Sequence, residues 1–272
     1  MGMPSDIYLV RHGQSEGNIA MRAAKKGDES YFAHEGFLGQ HSSKWRLTEE
    51  GQDQAQRAGT WLREEVGLFD FCFTSEYSRA LETAALLDVT ANKQQWRIQP
   101  YLRERDWGDI DRMTEDMKQE LYSRNLLDSD RSPYFWRPPN GESPVDTVAR
   151  IKHWLGTLAR DCSGKKVLAV VHGEVLEALS IELERMSEHQ FIANKKAKKN
   201  KVANCDIVHY TRLAAGAPMD AHLCRKRFIR TGDTVVPEPF SAIDRKQYSS
   251  DQLMNMVDEL PTFFAGTKNE IH

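Results

Sequence analysis

Residues 7–18 read IYLVRHGQSEGN, four apolar or aromatic residues followed without a spacer by arginine, histidine and glycine. A short apolar run bounded by polar residues is the pattern of a strand covered on both faces. Such a strand ends at the carboxyl edge of its sheet, which is where open α/β sheets collect ligands. An Arg-His-Gly at that edge sets a permanent cation and a titratable ring beside a close turn. Two more runs do the same: residues 71–74 (FCFT) lead through Ser75 to Arg79, and residues 167–171 (VLAVV) end in His172 and Gly173.

Between the strands the period changes from two to 3.6. After LTEEG, residues 52–65 set Ala55, Ala58, Trp61 and Leu62 on one helical face, with Thr48 as N-cap. YSRALETAALL and EVLEALSIEL read as helices, and residues 145–162 carry Val145, Val148, Ile151, Leu155, Leu158 and Cys162 on one stripe. A further strand is expected over 206–211. This alternation predicts an α/β fold, a three-layer α/β/α arrangement with a mostly parallel central sheet flanked by helices. It forms a single domain, 1–272, with its core at about 5–212. Residues 19–46 are polar and Gly-containing and read as an excursion outside the core. Residues 213–272 read as a partly ordered extension, because Pro218, Pro237, Pro239 and Pro261 interrupt any long helix there.

The 272 residues are 40% hydrophobic and 28% charged, with a net charge of -3. No overall field draws such a chain to nucleic acid or to an anionic membrane, so an anion must be held locally. Oligomeric state is not legible. Cys72, Cys162, Cys205 and Cys224 are scattered without a CxxC pair, which argues against a disulfide scaffold and suits a cytoplasmic protein. The N-terminus lacks a secretory pattern, and Asp6 stands where a myristoylation signal has Ser or Thr. Histidines outside the strand ends show no ligand spacing with Cys or carboxylates, so no metal is expected. The basic run NKKAKKNK at 194–201 reads as a solvated loop or as a screen for a polyanion. Trp45, Trp61, Trp96, Trp136 and Trp154 read as core or lid.

Two arginines and two histidines on three strand ends suit a phosphoryl group. Arginine donates in pairs and stays charged, while histidine offers a neutral nucleophilic nitrogen near pH 7. Taken singly each has a plain alternative: HG after a strand is a turn, and Arg79 is a solvated helical charge. Gln14, Ser15 and Asn18 add neutral donors at a helix start. Glu142 and Ser143 in RPPNGES either meet substrate or cap the helix that begins near Val145, with Ser143 or Asp146 as N-cap.

The stretches LVRHGQSEGN, LTEEGQDQA, TSEYSRALETA, LRERDWG, RPPNGES and VVHGE, in this order over most of residues 5–212, resemble the histidine phosphatase superfamily. The resemblance implies a phosphoglycerate mutase-like fold in which His12 becomes phosphorylated and Arg11, Arg79 and His172 hold the phosphoryl oxygens. Glu104 matches the family's general acid and base, its plain alternative being a loop carboxylate paired with Arg103 or Arg105. Gln14, Ser15, Asn18, Gly173 and Glu142 are the implied substrate-binding set, although Gln14 replaces the commoner Glu of RHGES. No cofactor is implied, and the partner is a small phosphorylated substrate, a phosphoprotein remaining open. RPPNGES and RHGQSEGN favour a phosphatase over the alternative, a phosphoglycerate mutase, since the mutases carry RHGESxWN and a long insert after the Glu motif. A silent binding module is a third reading, disfavoured because it has no need of all five residues.

Overall fold

The computed structural model describes residues 2–89, 95–197, 201–213, 220, 222–245 and 247–258. The strands are β1 (Asp6–Arg11), β2 (Phe71–Thr74), β3 (Trp96–Ile98), β4 (Lys166–Val171), β5 (Ile207–Thr211), β6 (Arg225–Thr231), β7 (Val235–Pro237) and β8 (Ser241–Ala242). The helices are α1 (Glu16–Ala24), α2 (Glu35–Leu38), α3 (Glu49–Trp61), α4 (Ser78–Leu87), α5 (Glu115–Arg131), α6 (Pro144–Asp161), α7 (Gly173–Glu184), α8 (Glu188–Lys196) and α9 (Ser250–Asp258).

One sheet runs through the molecule in the order β3-β2-β4-β1-β5-β6-β7, with β8 also paired to β6. The four strands from β3 to β1 are parallel, and β5 onward are antiparallel. Parallel strands need helical crossovers, which cover both faces. One face packs on α6 and α7 through Ile151, Trp154, Leu158 and Leu179, all fully buried, and the other on α3 and α4 through Ala55, Ala58, Leu62, Ala80 and Leu87. The helix pair α3 and α4 packs backbone to backbone: a Cβ on Gly59 would lie 2.1 Å from the Leu87 carbonyl oxygen. Only glycine fits such an approach.

Local signals set the helix starts. Thr48 accepts from the Gly51 N–H and caps α3, which begins at Glu49. At α6 Ser143 is the N-cap and Asp146 closes the capping box, both groups acting in one motif. Val145 faces partly outward while Trp154 fills the core, edge to face with Phe73 at 5.8 Å.

Two expectations are corrected. The 19–46 excursion is not outside the core: α1 covers its start, and Ala20, Phe32 and Trp45 are buried. Trp45 stacks on Phe37 at 4.4 Å between ring centroids, in the space left by Gly17, where a Cβ would stand 2.2 Å from the indole. A few apolar residues among many polar ones carry this packing, which is why composition hid it. Past Leu213 the chain is no mere appendage either, for β6, β7 and β8 extend the sheet and Ile229 is fully buried. Pro218, Pro261 and residues 198–200 of the basic run lie outside the described residues; Lys195 pairs with Glu177 at 3.4 Å.

Candidate active site

Register brings the two histidines together. Strands β1 and β4 pair in parallel with Arg11 opposite Val171, so the next residues, His12 and His172, leave the sheet side by side. The His12 N–H donates to the Val171 carbonyl at 2.9 Å, and the imidazole centroids lie 5.1 Å apart. On the other flank of β4, Thr74 stands opposite Val170, which delivers Ser75 to His172 Nε2 at 2.8 Å. Arg79 comes from the first turn of α4, the helix that β2 feeds.

Hydrogen bonds fix the tautomer of His12. Its Nδ1 lies 2.7 Å from the Gly13 carbonyl oxygen, which can only accept, so Nδ1 carries the proton and Nε2 presents its lone pair. Arg79 Nε–H donates to that lone pair at 3.2 Å. Burial, with Arg79 and Arg11 adding to it, holds the His12 pKa well below the ordinary histidine value. His172 is shifted the same way, first by burial and then by Arg79 and His12. Both rings are therefore neutral at physiological pH.

The guanidiniums of Arg11 and Arg79 have no carboxylate partner among the described residues. Arg79, 7% exposed, donates one N–H to the Ser42 carbonyl and lies over the Tyr77 ring at 4.9 Å. Arg11 donates to the Val202 carbonyl, while its Nε and His172 Nδ1 are buried without a partner. Buried charges are ordinarily paired, and unsatisfied buried donors are costly. A dianion would satisfy both groups at once.

Glu104 lines the same cavity, about 430 Å³, as Arg11, His12, Ser15, Asn18 and Arg79. Burial raises its pKa, against the opposing pull of Arg79. It forms no salt bridge among the described residues and accepts only the Arg105 backbone N–H at 2.9 Å. The loop-pair alternative fails because Arg103 and Arg105 are engaged elsewhere: Arg103 on Glu142, Arg105 on Glu174, the Glu142 carbonyl and the Trp136 carbonyl. Two titratable groups pushed apart, a neutral base and a protonatable acid, share one cavity.

Several implied substrate-binding residues have other partners. Glu142 is a clamp: its carboxylate accepts from Arg103, Arg150 and the Asp106 N–H, and its own N–H donates to the Asp106 carbonyl. It therefore anchors the Glu104 loop and does not line the cavity. Gln14 turns toward α3, its side-chain oxygen accepting from Thr48 Oγ at 3.1 Å. Gly13 is required by Gly51, whose carbonyl oxygen would lie 2.4 Å from a Cβ, rather than by a ligand. At Gly173 a Cβ would meet only the Arg11 guanidinium, at 3.8 Å, so that space lies beside the unpaired Nε.

Ser15 and Asn18 do line the cavity, and they also form the capping box of α1. Asn204 ties this end together, donating to Asn18 Oδ1 and to the His12 carbonyl, both at 3.0 Å. Sequence reading missed Asn204, Ser75, Tyr77, Trp107 and Asp111; a Ser directly after a strand was the one signal available. Glu174 is paired with Arg105, and Glu16 accepts from the Arg46 N–H, so neither competes with Glu104 as an acid. Among the described residues no group of three His, Cys, Asp or Glu is placed to hold a metal, and no helix is long and apolar enough to cross a membrane.

The family model for the histidine phosphatase superfamily (branch 1) matches residues 7–212. The chain is 35% identical over 188 residues to a 2,3-bisphosphoglycerate-dependent phosphoglycerate mutase of Methylorubrum populi, covering 66% of this chain and 80% of that one. Among solved structures it is similar to the alpha-ribazole phosphatase of Shigella flexneri, with a TM-score of 0.63, 20% identity and coverage of 86% of this chain and 100% of the other. A mycobacterial glucosyl-3-phosphoglycerate phosphatase gives a TM-score of 0.57 at 23% identity, covering 75% and 89%. The two structures speak to the fold.

Proposed function

The chain belongs to the histidine phosphatase superfamily, and within it we propose a phosphatase that hydrolyses a small phosphomonoester through a phosphohistidine on His12. The observation that carries the phosphohistidine chemistry is the pair of guanidiniums, buried Arg79 and half-buried Arg11, without carboxylate partners among the described residues around a neutral His12 Nε2. The Nε2 lone pair attacks phosphorus as the P–O bond of the ester breaks. Glu104, whose pKa burial raises, gives its proton to the departing oxygen. Arg11, Arg79 and His172 stabilise the charge on the equatorial oxygens. The ionised Glu104 then takes a proton from the attacking water, the N–P bond breaks, and inorganic phosphate leaves.

The outer cavity favours hydrolysis over the mutase alternative. A bisphosphoglycerate carries a second phosphoryl group and a carboxylate, which need free cations beyond the first site. Here Lys118 is paired with Glu115 and Arg105 with Glu174, and Arg112 donates to the Leu38 and Gln40 carbonyls and stands 3.8 Å from Asp111, which leaves Lys25 as the outer lining cation without an ion pair among the described residues, one charge for two anionic groups. The Asp111 carboxylate and three tryptophans, Trp45, Trp107 and Trp136, line the same space. The deciding experiment supplies purified protein with phosphomonoesters, with and without 2,3-bisphosphoglycerate. Activator-independent release of phosphate is expected; activator-dependent isomerisation of phosphoglycerate without phosphate release would overturn the reading.

A further inference from the structure

Asp111 is an odd member of a cavity built for an anion. Its carboxylate lines the cavity yet accepts no hydrogen bond from any described residue. The nearest basic nitrogens, Arg112 Nε at 3.8 Å and His41 Nε2 at 3.9 Å, are beyond hydrogen-bond distance. Near a phosphoryl group a carboxylate repels; the Asp111 charge also favours the charged form of Arg79, which leaves its hydrogen-bond acceptors open.

Its position is nonetheless held firmly. Gly108, three residues before it, adopts φ +52°, and a Cβ there would lie 2.0 Å from the Pro139 carbonyl oxygen. Arg112, just after it, is also left-handed at φ +62° and reaches across to the Leu38 and Gln40 carbonyls, tying this loop to the 19–46 excursion. A left-handed arginine is strained, and such strain persists where surrounding contacts over-determine it. Flat rings line the same cavity. Trp107 and Trp136 flank the Arg105 guanidinium at 4.5 and 5.5 Å, and that guanidinium is locked by three acceptors, so this wall is preformed.

We infer that Asp111 is a specificity-determining residue that accepts a hydrogen bond from a hydroxyl on the leaving group, which is a hydroxylated ring seated against the tryptophan wall. The inference rests on the phosphatase reading above. A hydroxyl fits better than an ammonium, because it donates to Asp111 without facing the positive Arg112. The 430 Å³ cavity accommodates a ring beyond the phosphoryl group. A site that offers a fixed acceptor to a substrate hydroxyl discriminates strongly against the analogue that lacks it.

The test compares matched primary alkyl phosphates whose leaving oxygens are of similar basicity: glucose 6-phosphate against cyclohexylmethyl phosphate, and ribose 5-phosphate against cyclopentylmethyl phosphate. In the unmodified protein kcat/KM for the better hydroxylated ring is expected to exceed that of its apolar match by about tenfold or more. In Asp111→Ala that ratio falls to about one, while Asp111→Asn, which keeps an acceptor but not the charge, lies between. The ratio cancels any general loss of folded protein. A ratio at or below one in the unmodified protein, or one unchanged by Asp111→Ala, overturns the inference and leaves the phosphatase reading intact. No His12-dependent release of phosphate from any of the four compounds or from p-nitrophenyl phosphate would overturn both.

Discussion

His12 Nε2 accepts a hydrogen bond from Arg79 Nε at 3.2 Å, and this contact holds the reactive nitrogen of a neutral ring against the guanidinium that would receive the phosphoryl oxygens. The nucleophile is thus unprotonated and aimed before substrate arrives, with its other nitrogen fixed on Gly13. Rapid quench with labelled substrate should trap an acid-labile, base-stable adduct, absent in His12→Ala. An equal adduct yield from that variant would remove the assignment.

Glu104→Gln separates the acid from the rest. Protonation of a leaving group is worth roughly a hundred- to ten-thousand-fold for a basic oxygen and little for a stable anion. Single-turnover phosphorylation of the variant should therefore drop strongly with an alkyl phosphate and weakly with p-nitrophenyl phosphate. Equal small losses would mean another acid acts.

The pH dependence follows from the opposed shifts. With the His12 pKa well below the ordinary value, the nucleophile stays competent into acid, and with the Glu104 pKa raised, the acid stays protonated above the ordinary glutamate range. The phosphorylation rate with an alkyl phosphate should hold through mildly acidic pH and fall as pH rises through the Glu104 pKa. The falling limb should disappear in Glu104→Gln; its persistence there would assign it to another group.

Stability should move the other way. The unfolded chain protonates its histidines near about 6.5, whereas folded His12 and His172 bind protons only well below the ordinary value. Their contribution is fully present above that range and drains as pH falls below it. His209, lowered by burial, acts with them, and Glu104 and Glu177, raised by burial, oppose them, three histidines against two carboxyls. The urea midpoint should drop between pH 7.5 and 5.5, and drop less in a His12→Asn, His172→Asn double variant. Identical drops in both proteins would place the proton uptake elsewhere.

Glu142→Ala tests the clamp. It strands Arg150, whose side chain is 9% exposed and which also reaches the Tyr101 and Glu104 carbonyls. Loss of one partner of such a pair costs about 3 kcal/mol. Because Glu142 holds the Glu104 loop rather than substrate, kcat should fall while KM changes little. A large rise in KM with kcat intact would restore it to the substrate-binding set.

Local chemistry was legible in the sequence alone. The apolar runs named β1, β2 and β4, their last residues named Arg11, His12 and His172, and the caps at Thr48 and Ser143 were readable because each depends on partners within four residues. The resemblance added Glu104 through the stretch LRERDWG. Tertiary structure alone decided the rest. The Arg11–Val171 register sets His12 beside His172 across 160 residues of chain, and no local rule gives that pairing. Contacts between residues remote in sequence also placed Asn204 at the site, turned Gln14 from substrate toward Thr48 and Glu142 toward Arg103, and folded Trp45 into the wall through a gap at Gly17. Caps and periodicity are written in neighbouring residues; which side chain faces the cavity is set by groups brought near only when the sheet closes.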